Sequence, residues 1–211
     1  MWKQTLKEVF KFLFENPVVF LIILANYALL FLLAPLIGVV AVWFISTFYL
    51  VGIHGSLQNL WEDLKRFAKW GFVVAVVLYA LYFLTGLVSY FVYTYLVSKF
   101  QLSFGALMAF TVVYSLLLAA LIHAVYLPLF ASTDFKSFKE NLKRVKLLFS
   151  TRGGIAALVL LWGFMFLTLL AGLIKFFRAT VGLYAVIATF WLTYYTFLGV
   201  KVLKNRGSEE G

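Results

Sequence analysis

Tyr27-Ala28-Leu29-Leu30-Phe31-Leu32 closes a stretch that opens at Thr5-Leu6-Lys7-Glu8, and its pattern decides the fold because it returns twice. The order of an aromatic, a small residue, two further residues and Phe-Leu recurs at Tyr79-Ala80-Leu81-Tyr82-Phe83-Leu84 and at Trp162-Gly163-Phe164-Met165-Phe166-Leu167. The polar openings Thr5-Leu6-Lys7-Glu8, Ser56-Leu57-Gln58-Asn59 and Ser137-Phe138-Lys139-Glu140 precede these copies by 22, 23 and 25 residues. A repeat of this length fixes architecture before any chemistry is considered. It predicts one membrane domain over 1–205, in units 2–54, 55–133 and 134–205, with a disordered tail at 206–211.

Outward from the repeat, composition sets the solvent. The 211 residues are 64% hydrophobic and only 12% charged, against about 25% charged in soluble domains. Several apolar runs exceed the roughly 20 residues that cross about 30 Å of hydrocarbon. An integral membrane protein is expected, with its first span retained, since no small-residue cleavage site follows Lys3, Lys7 and Lys11. Cysteine is absent, which removes disulfides and thiolate chemistry. The net charge of +10 sits mainly at span ends, where anionic lipid head groups, and not nucleic acid, are the expected partners.

Each unit reads as a basic amphipathic helix lying in the membrane interface, followed by an apolar hairpin. In the first, Trp2, Leu6, Val9, Phe10 and Leu13 keep helical spacing beside a column of Lys3, Lys7 and Lys11. Thr5 and Glu8 have capping-box spacing, and Asn16-Pro17 breaks the helix. Residues 17–53 form one apolar run whose halves just span. The turn is expected at Ala34 to Gly38, and a re-entrant pair is the alternative. The second amphipathic segment is Ser56 to Trp70, with a Glu62–Arg66 pair on its polar side. The third, Ser137 to Phe149, carries Lys139, Lys143, Arg144 and Lys146, and Gly153-Gly154 are expected to break it from span five. The remaining spans are read at Gly71–Val97, Ser103–Phe130, Ile155–Ile174 and Val181–Val200. The fold class is therefore all-α, with six transmembrane helices as three parallel hairpin repeats.

Fifteen Lys and Arg flank one side of these spans, against Lys99, Lys175 and Arg178 on the other. The positive-inside rule then places both termini in the cytosol of a cell inner membrane. All eight acidic residues fall in the cytosolic segments, so no span carries a carboxylate for ion coupling, acid–base catalysis or metal binding. No catalytic residue, cofactor or metal is expected. The polar candidates are Asn26 in span one and two stripes at i+4 spacing. One is Thr111, Ser115, Ala119 and His123 in span four; the other is Ala185, Thr189, Thr193 and Thr196 in span six. They either bond neighbouring helices or line a path. Asn26 calls for a partner on another helix, and His54 is expected to be solvated at the interface.

The pattern of a basic amphipathic segment before each apolar hairpin, marked by the aromatic-small-x-x-Phe-Leu signature and the Ser/Thr openings, resembles a broad group of small six-span prokaryotic membrane families. The membrane domain attached to some glycerophosphodiester phosphodiesterases is similar. The resemblance implies a six-span fold and transfers no catalytic residue, because that phosphodiesterase activity belongs to a soluble domain. Mitochondrial carriers also combine three two-span repeats with surface helices, but none of the prolines here opens their Pro-x-Asp/Glu-x-x-Lys/Arg signature.

Two functions fit these readings. One is a non-enzymatic protein that binds lipid or a partner, or organises the membrane, with Lys7, Lys11, Lys65, Arg66, Lys139, Lys143, Arg144 and Lys146 contacting anionic lipid. Its protein partner is another membrane protein or a second copy of the chain. The other is a channel or permease for a small neutral or hydrophobic solute, on a path lined by spans four and six. The topology predicts that cysteines placed at Gln101 and Thr180 react with an impermeant thiol reagent from outside the cytosol; labelling from the cytosolic side alone overturns it.

Overall fold

The structure is a computed structural model that describes residues 1–100, 103–173 and 181–205. Gln101, Lys175, Arg178, Thr180 and the tail 206–211 lie outside them. The described chain is helical: α1 (Trp2–Phe14), α2 (Pro17–His54), a 3-10 turn (Leu57–Asn59), α3 (Leu60–Phe100), α4 (Phe104–Ala131), α5 (Phe135–Lys143), α6 (Lys146–Ser150), α7 (Arg152–Leu173) and α8 (Val181–Asn205). No strand occurs among the described residues. Four helical stretches are long and apolar enough to cross a membrane, and six if two bent pairs each count as one span.

Asn16-Pro17 makes the first bend. The Asn16 side chain accepts from the Val18 amide, and Pro17, which has no amide hydrogen to satisfy, opens α2. The axis turns by 92° there. Thr5 lies inside α1 and donates to the Met1 carbonyl, so the expected Thr5–Glu8 capping box does not form. Glu8 instead meets Lys201 of α8 at 2.7 Å.

α2 is helical from Pro17 to His54, yet it is not a rod. The hydroxyls of Tyr27 and Tyr49 are 3.0 Å apart across 22 residues, a separation of about 33 Å in a straight helix. From Gly38 onward α2 follows α3 in antiparallel register: Gly38 abuts Tyr79, Trp43 meets Phe72, Thr47 meets Gly71 and His54 meets Phe67. The chain therefore doubles back between Tyr27 and Gly38, an interval that holds most of the turn expected at Ala34 to Gly38.

The same register carries α3 straight past residue 70. The separate interfacial helix expected over Ser56–Trp70 is thus a correction: from Leu60 it is the first part of α3. An amphipathic pattern dictates which face is polar, and bending the axis needs a breaker in addition. Unit one has Asn-Pro, whereas here the sequence offers only Gly71, and that glycine admits Thr47, whose hydroxyl a Cβ would approach to 2.3 Å. The expected Glu62–Arg66 pair is absent among the ion pairs of the described residues; the Arg66 guanidinium lies 5.3 Å from the centre of the Phe67 ring.

Unit three opens one turn earlier than its Ser137 mark, at Asp134. Its carboxylate accepts from the Ser137 amide, while the Ser137 hydroxyl answers the Asp134 backbone amide. The Ser137 amide and then its hydroxyl hold the Asp134 carboxyl below its ordinary range. The expected single helix over Ser137–Phe149 is divided at Arg144 into α5 and α6. The 86° bend into α7 falls at Thr151, whose hydroxyl accepts from the Gly154 amide, and not at Gly153-Gly154. Those glycines make room: a Cβ on Gly154 would stand 2.3 Å from the Leu148 carbonyl oxygen. At the other end of this unit α8 continues through Lys201 to Asn205, past the Val200 at which span six was expected to end.

Contacts bring the basic openings of all three units to one end of the bundle. Met1 lies against Gly153 and Val202, Lys204 reaches the Ile53 carbonyl, and Trp70 stacks edge-on to Phe135. The tightest packing is there, with Leu13, Tyr49, Leu127, Phe130, Leu148, Tyr195, Leu198 and Leu203 fully buried. Gly154→Ala, which forces a side chain onto backbone, is expected to destabilise by about 1–3 kcal/mol. Gly86→Ala, where a Cβ meets nothing within 4 Å, is expected to be neutral or slightly stabilising, near 0.5 kcal/mol at most. Unfolding in mild detergent measures both.

Candidate functional site

The stripe residues are where function was expected, and they face inward. Thr111, Ser115, His123, Thr189, Thr193 and Thr196 are all fully buried. Helical i+4 spacing puts each set on one face, and each hydroxyl first returns to the backbone of its own helix. Thr111 donates to Leu107, Ser115 to Val112, Thr189 to Ala185 and Thr196 to Leu192. The remaining lone pairs then accept from aromatic donors across helices. Tyr93 of α3 donates to Thr111 at 2.8 Å, and the Trp162 indole of α7 donates to Ser115 at 3.0 Å.

The centre of this network joins α2, α4 and α8. Tyr27 is bonded to Tyr49, and Tyr49 is bonded to Thr193 at 2.9 Å. Beside them Tyr126 is bonded to Thr196 at 2.9 Å, and His123 Nδ1 lies 3.1 Å from the Tyr195 hydroxyl. Among the described residues the other imidazole nitrogen of His123, which is buried, has no hydrogen-bond partner, and the ring meets Phe149 edge-on. Backbone carbonyls take the indoles at further joints: Trp43 donates to Ala68, Trp70 to Leu129 and Trp191 to Leu160.

Two expectations change here. Among the described residues Asn26 makes no interhelical bond; its amide donates at 2.8 Å to the Ile22 carbonyl one turn back in α2, and its neighbour Tyr27 bonds Tyr49 beyond the fold-back. His54 is tied in at the interface: Nε2 donates to the Phe130 carbonyl at 2.8 Å, which leaves Nδ1 to accept from Lys204 at 3.3 Å. Sequence reasoning passed over Tyr49, Tyr126 and Tyr195. The available signal was that a tyrosine within a span must find a partner for its hydroxyl.

The basic candidates are outward. Lys7, Lys11, Lys65, Arg66, Lys139, Lys143 and Lys146 are exposed, and Arg144 is half-buried. Of these, Lys11 is paired, with Glu15 at 3.7 Å on the surface. Lys201, half-buried with its ammonium nitrogen shielded from solvent, is held by Glu8. Among the described residues no group of three His, Cys, Asp or Glu side chains is placed to hold a metal.

These features define a class: a helical protein with four to six candidate spans, whose polar side chains within the spans join helix to helix. No family model, curated protein or solved structure matches the chain.

Tyr27→Phe and Tyr49→Phe remove the two halves of the central bond while keeping both rings. The double-mutant cycle, read from unfolding in bicelles, is expected to give a coupling of about 0.6 kcal/mol. A zero coupling would show that the two hydroxyls do not meet.

Proposed function

We propose that this chain is a non-enzymatic, multi-pass protein of the cell inner membrane that gathers anionic lipid at its basic end and so organises the surrounding leaflet. Four crossings, by α3, α4, α7 and α8, leave both termini in the cytosol, with α2 as a re-entrant pair whose fold-back comes level with Tyr79 and stops about 31 Å short of the end of α3. The fold-back at Tyr27–Tyr49 and the gathering of the three basic openings at one end support that arrangement.

One observation carries the functional reading: polar groups are segregated by use. The hydroxyls and indoles of the spans serve joints between helices, whereas the basic side chains are displayed. On α1 this display is complete. Trp2, Leu6, Phe10 and Phe14 are each about half exposed and run one turn apart beside the exposed column Lys3, Lys7 and Lys11. The third face, Thr5, Val9, Phe12 and Leu13, packs on the bundle. An apolar column next to a cationic one suits the boundary between acyl chains and head groups.

Reconstitution tests this. Each cation near an anionic surface contributes about 1 kcal/mol, so unfolding in phosphatidylglycerol bilayers is expected at clearly higher temperature than in phosphatidylcholine, a difference that salt reduces. Flux of small neutral solutes into proteoliposomes is expected to equal that into empty liposomes. Equal stability in the two lipids, or a flux that His123→Ala abolishes, overturns the proposal, and the second outcome establishes a channel or permease.

A further inference from the structure

A hollow of about 350 Å³ opens between α2 and α3, lined by Trp43, Ala68, Lys69 and Phe72. Its wall is fixed. The Trp43 indole donates to the Ala68 carbonyl at 2.9 Å, and its ring meets Phe72 edge-on at 5.8 Å. Along α3, positions 65, 69, 72 and 76 follow helical spacing and share one face. That face therefore reads Lys65, Lys69, Phe72, Val76: two cations, then two apolar side chains. The antiparallel register with α2 sets Phe44 level with Phe72, and Val40 level with Val76. All four apolar side chains are about half exposed. They form a lane that runs from the hollow toward the middle of the uncharged part of α3, over about 10 Å of helix.

The charge at the mouth is uncommitted. Neither Lys65 nor Lys69 lies within ion-pair distance of a described carboxylate. After Lys69, α3 carries no charge until Lys99, an interval of about 45 Å that matches a bilayer with its head groups, about 40–45 Å. Lys69 thus stands at head-group depth and Phe72 and Val76 at the depth of the first methylenes. An occupant must be anionic at one end and aliphatic along the other, and must enter sideways from the bilayer.

We propose that this lane binds one anionic phospholipid of the leaflet at the basic end, its phosphate on Lys69 and Lys65 and one acyl chain along Trp43, Phe72 and Val76. The proposal rests on the anionic-lipid reading above and gives it a defined site. Trp43 supplies a rigid flank for the chain, since its indole hydrogen is already held, and the two lysines supply the preference for an anion.

Native mass spectrometry of protein released from equimolar phosphatidylglycerol and phosphatidylcholine tests it, with helical content checked by circular dichroism. The wild type is expected to retain phosphatidylglycerol in preference. Lys65→Gln and Lys69→Gln are each expected to lower that preference about fivefold, while Lys99→Gln, at the far end of α3, leaves it in place. Trp43→Leu is expected to weaken retention of both lipids and leave their ratio unchanged. Full retention in the Lys65→Gln/Lys69→Gln protein overturns the site; if retention is lost instead in the Lys139→Gln/Lys143→Gln protein, the broader lipid reading stands without it. A wild type with no preference overturns both.

Discussion

Hydrocarbon offers no hydrogen-bond partner, so each polar group carried into a bilayer must be answered by the protein itself. The hydroxyls at positions 111, 115, 189 and 196 return to carbonyls of their own helices and accept from, or bond to, an aromatic neighbour where one is in reach. The joints are therefore made of Tyr and Trp, which deliver a polar tip at the end of a large apolar ring. The magnitudes separate two roles. A cross-helix hydrogen bond between spans contributes about 0.6 kcal/mol and an aromatic pair about 0.5–1.5 kcal/mol beyond its buried area. Ring packing such as Tyr126 on Tyr195 at 5.4 Å and Phe12 on Phe197 at 5.3 Å thus holds the helices together. The hydrogen bonds fix their register.

That division explains what the sequence made legible. Helical class, the presence of several helices apolar and long enough to cross a membrane, and the inward direction of the two stripes follow from hydrophobic length and i+4 spacing, which are local properties. Asn16-Pro17 announces its bend because proline constrains the residue before it. Whether a lone glycine breaks a helix is a tertiary question. Gly71 looks much like Gly153-Gly154 in sequence, yet all three lie inside helices because a neighbour needs the space: Thr47 in one case, Met1, Val202 and the Leu148 backbone in the others. The same limit hid the partners of Asn26 and His54. Spacing places a side chain on a face, and only the fold decides whether the nearest acceptor is the carbonyl one turn back, as for Asn26, or one 76 residues away, as for His54.

The three units share a pattern and differ in construction, and the difference has a mechanical source. Units one and three have breakers after their basic helices, so their axes swing through 92° and 86°. Unit two has none. Its basic segment stays coaxial with its span, and α3 becomes a continuous post of 41 residues. Against that post the fold-back of α2 comes level with Tyr79, and α3 continues for about 31 Å beyond. Tyr82, Phe83, Leu84, Tyr90 and Phe91 on this projecting part are more than half exposed, because α2 is no longer beside them.

The consequence is an unequal cross-section. Near the basic end α1, both halves of α2, α5 and α6 crowd around α3, α4, α7 and α8, and the fully buried side chains concentrate there. Past Tyr79 the post is joined to α4 by Tyr93–Thr111 and Ser89–Tyr114, and its remaining faces are open. On the proposed placement, the leaflet at the basic end must accommodate more protein than the opposite one, and the lipids best suited to that crowded rim are those its cations attract. Shape and charge then act on the same leaflet. On that proposal the chain acts through the width it presents to each leaflet and the head groups it holds, with no carboxylate between Lys69 and Lys99 of α3.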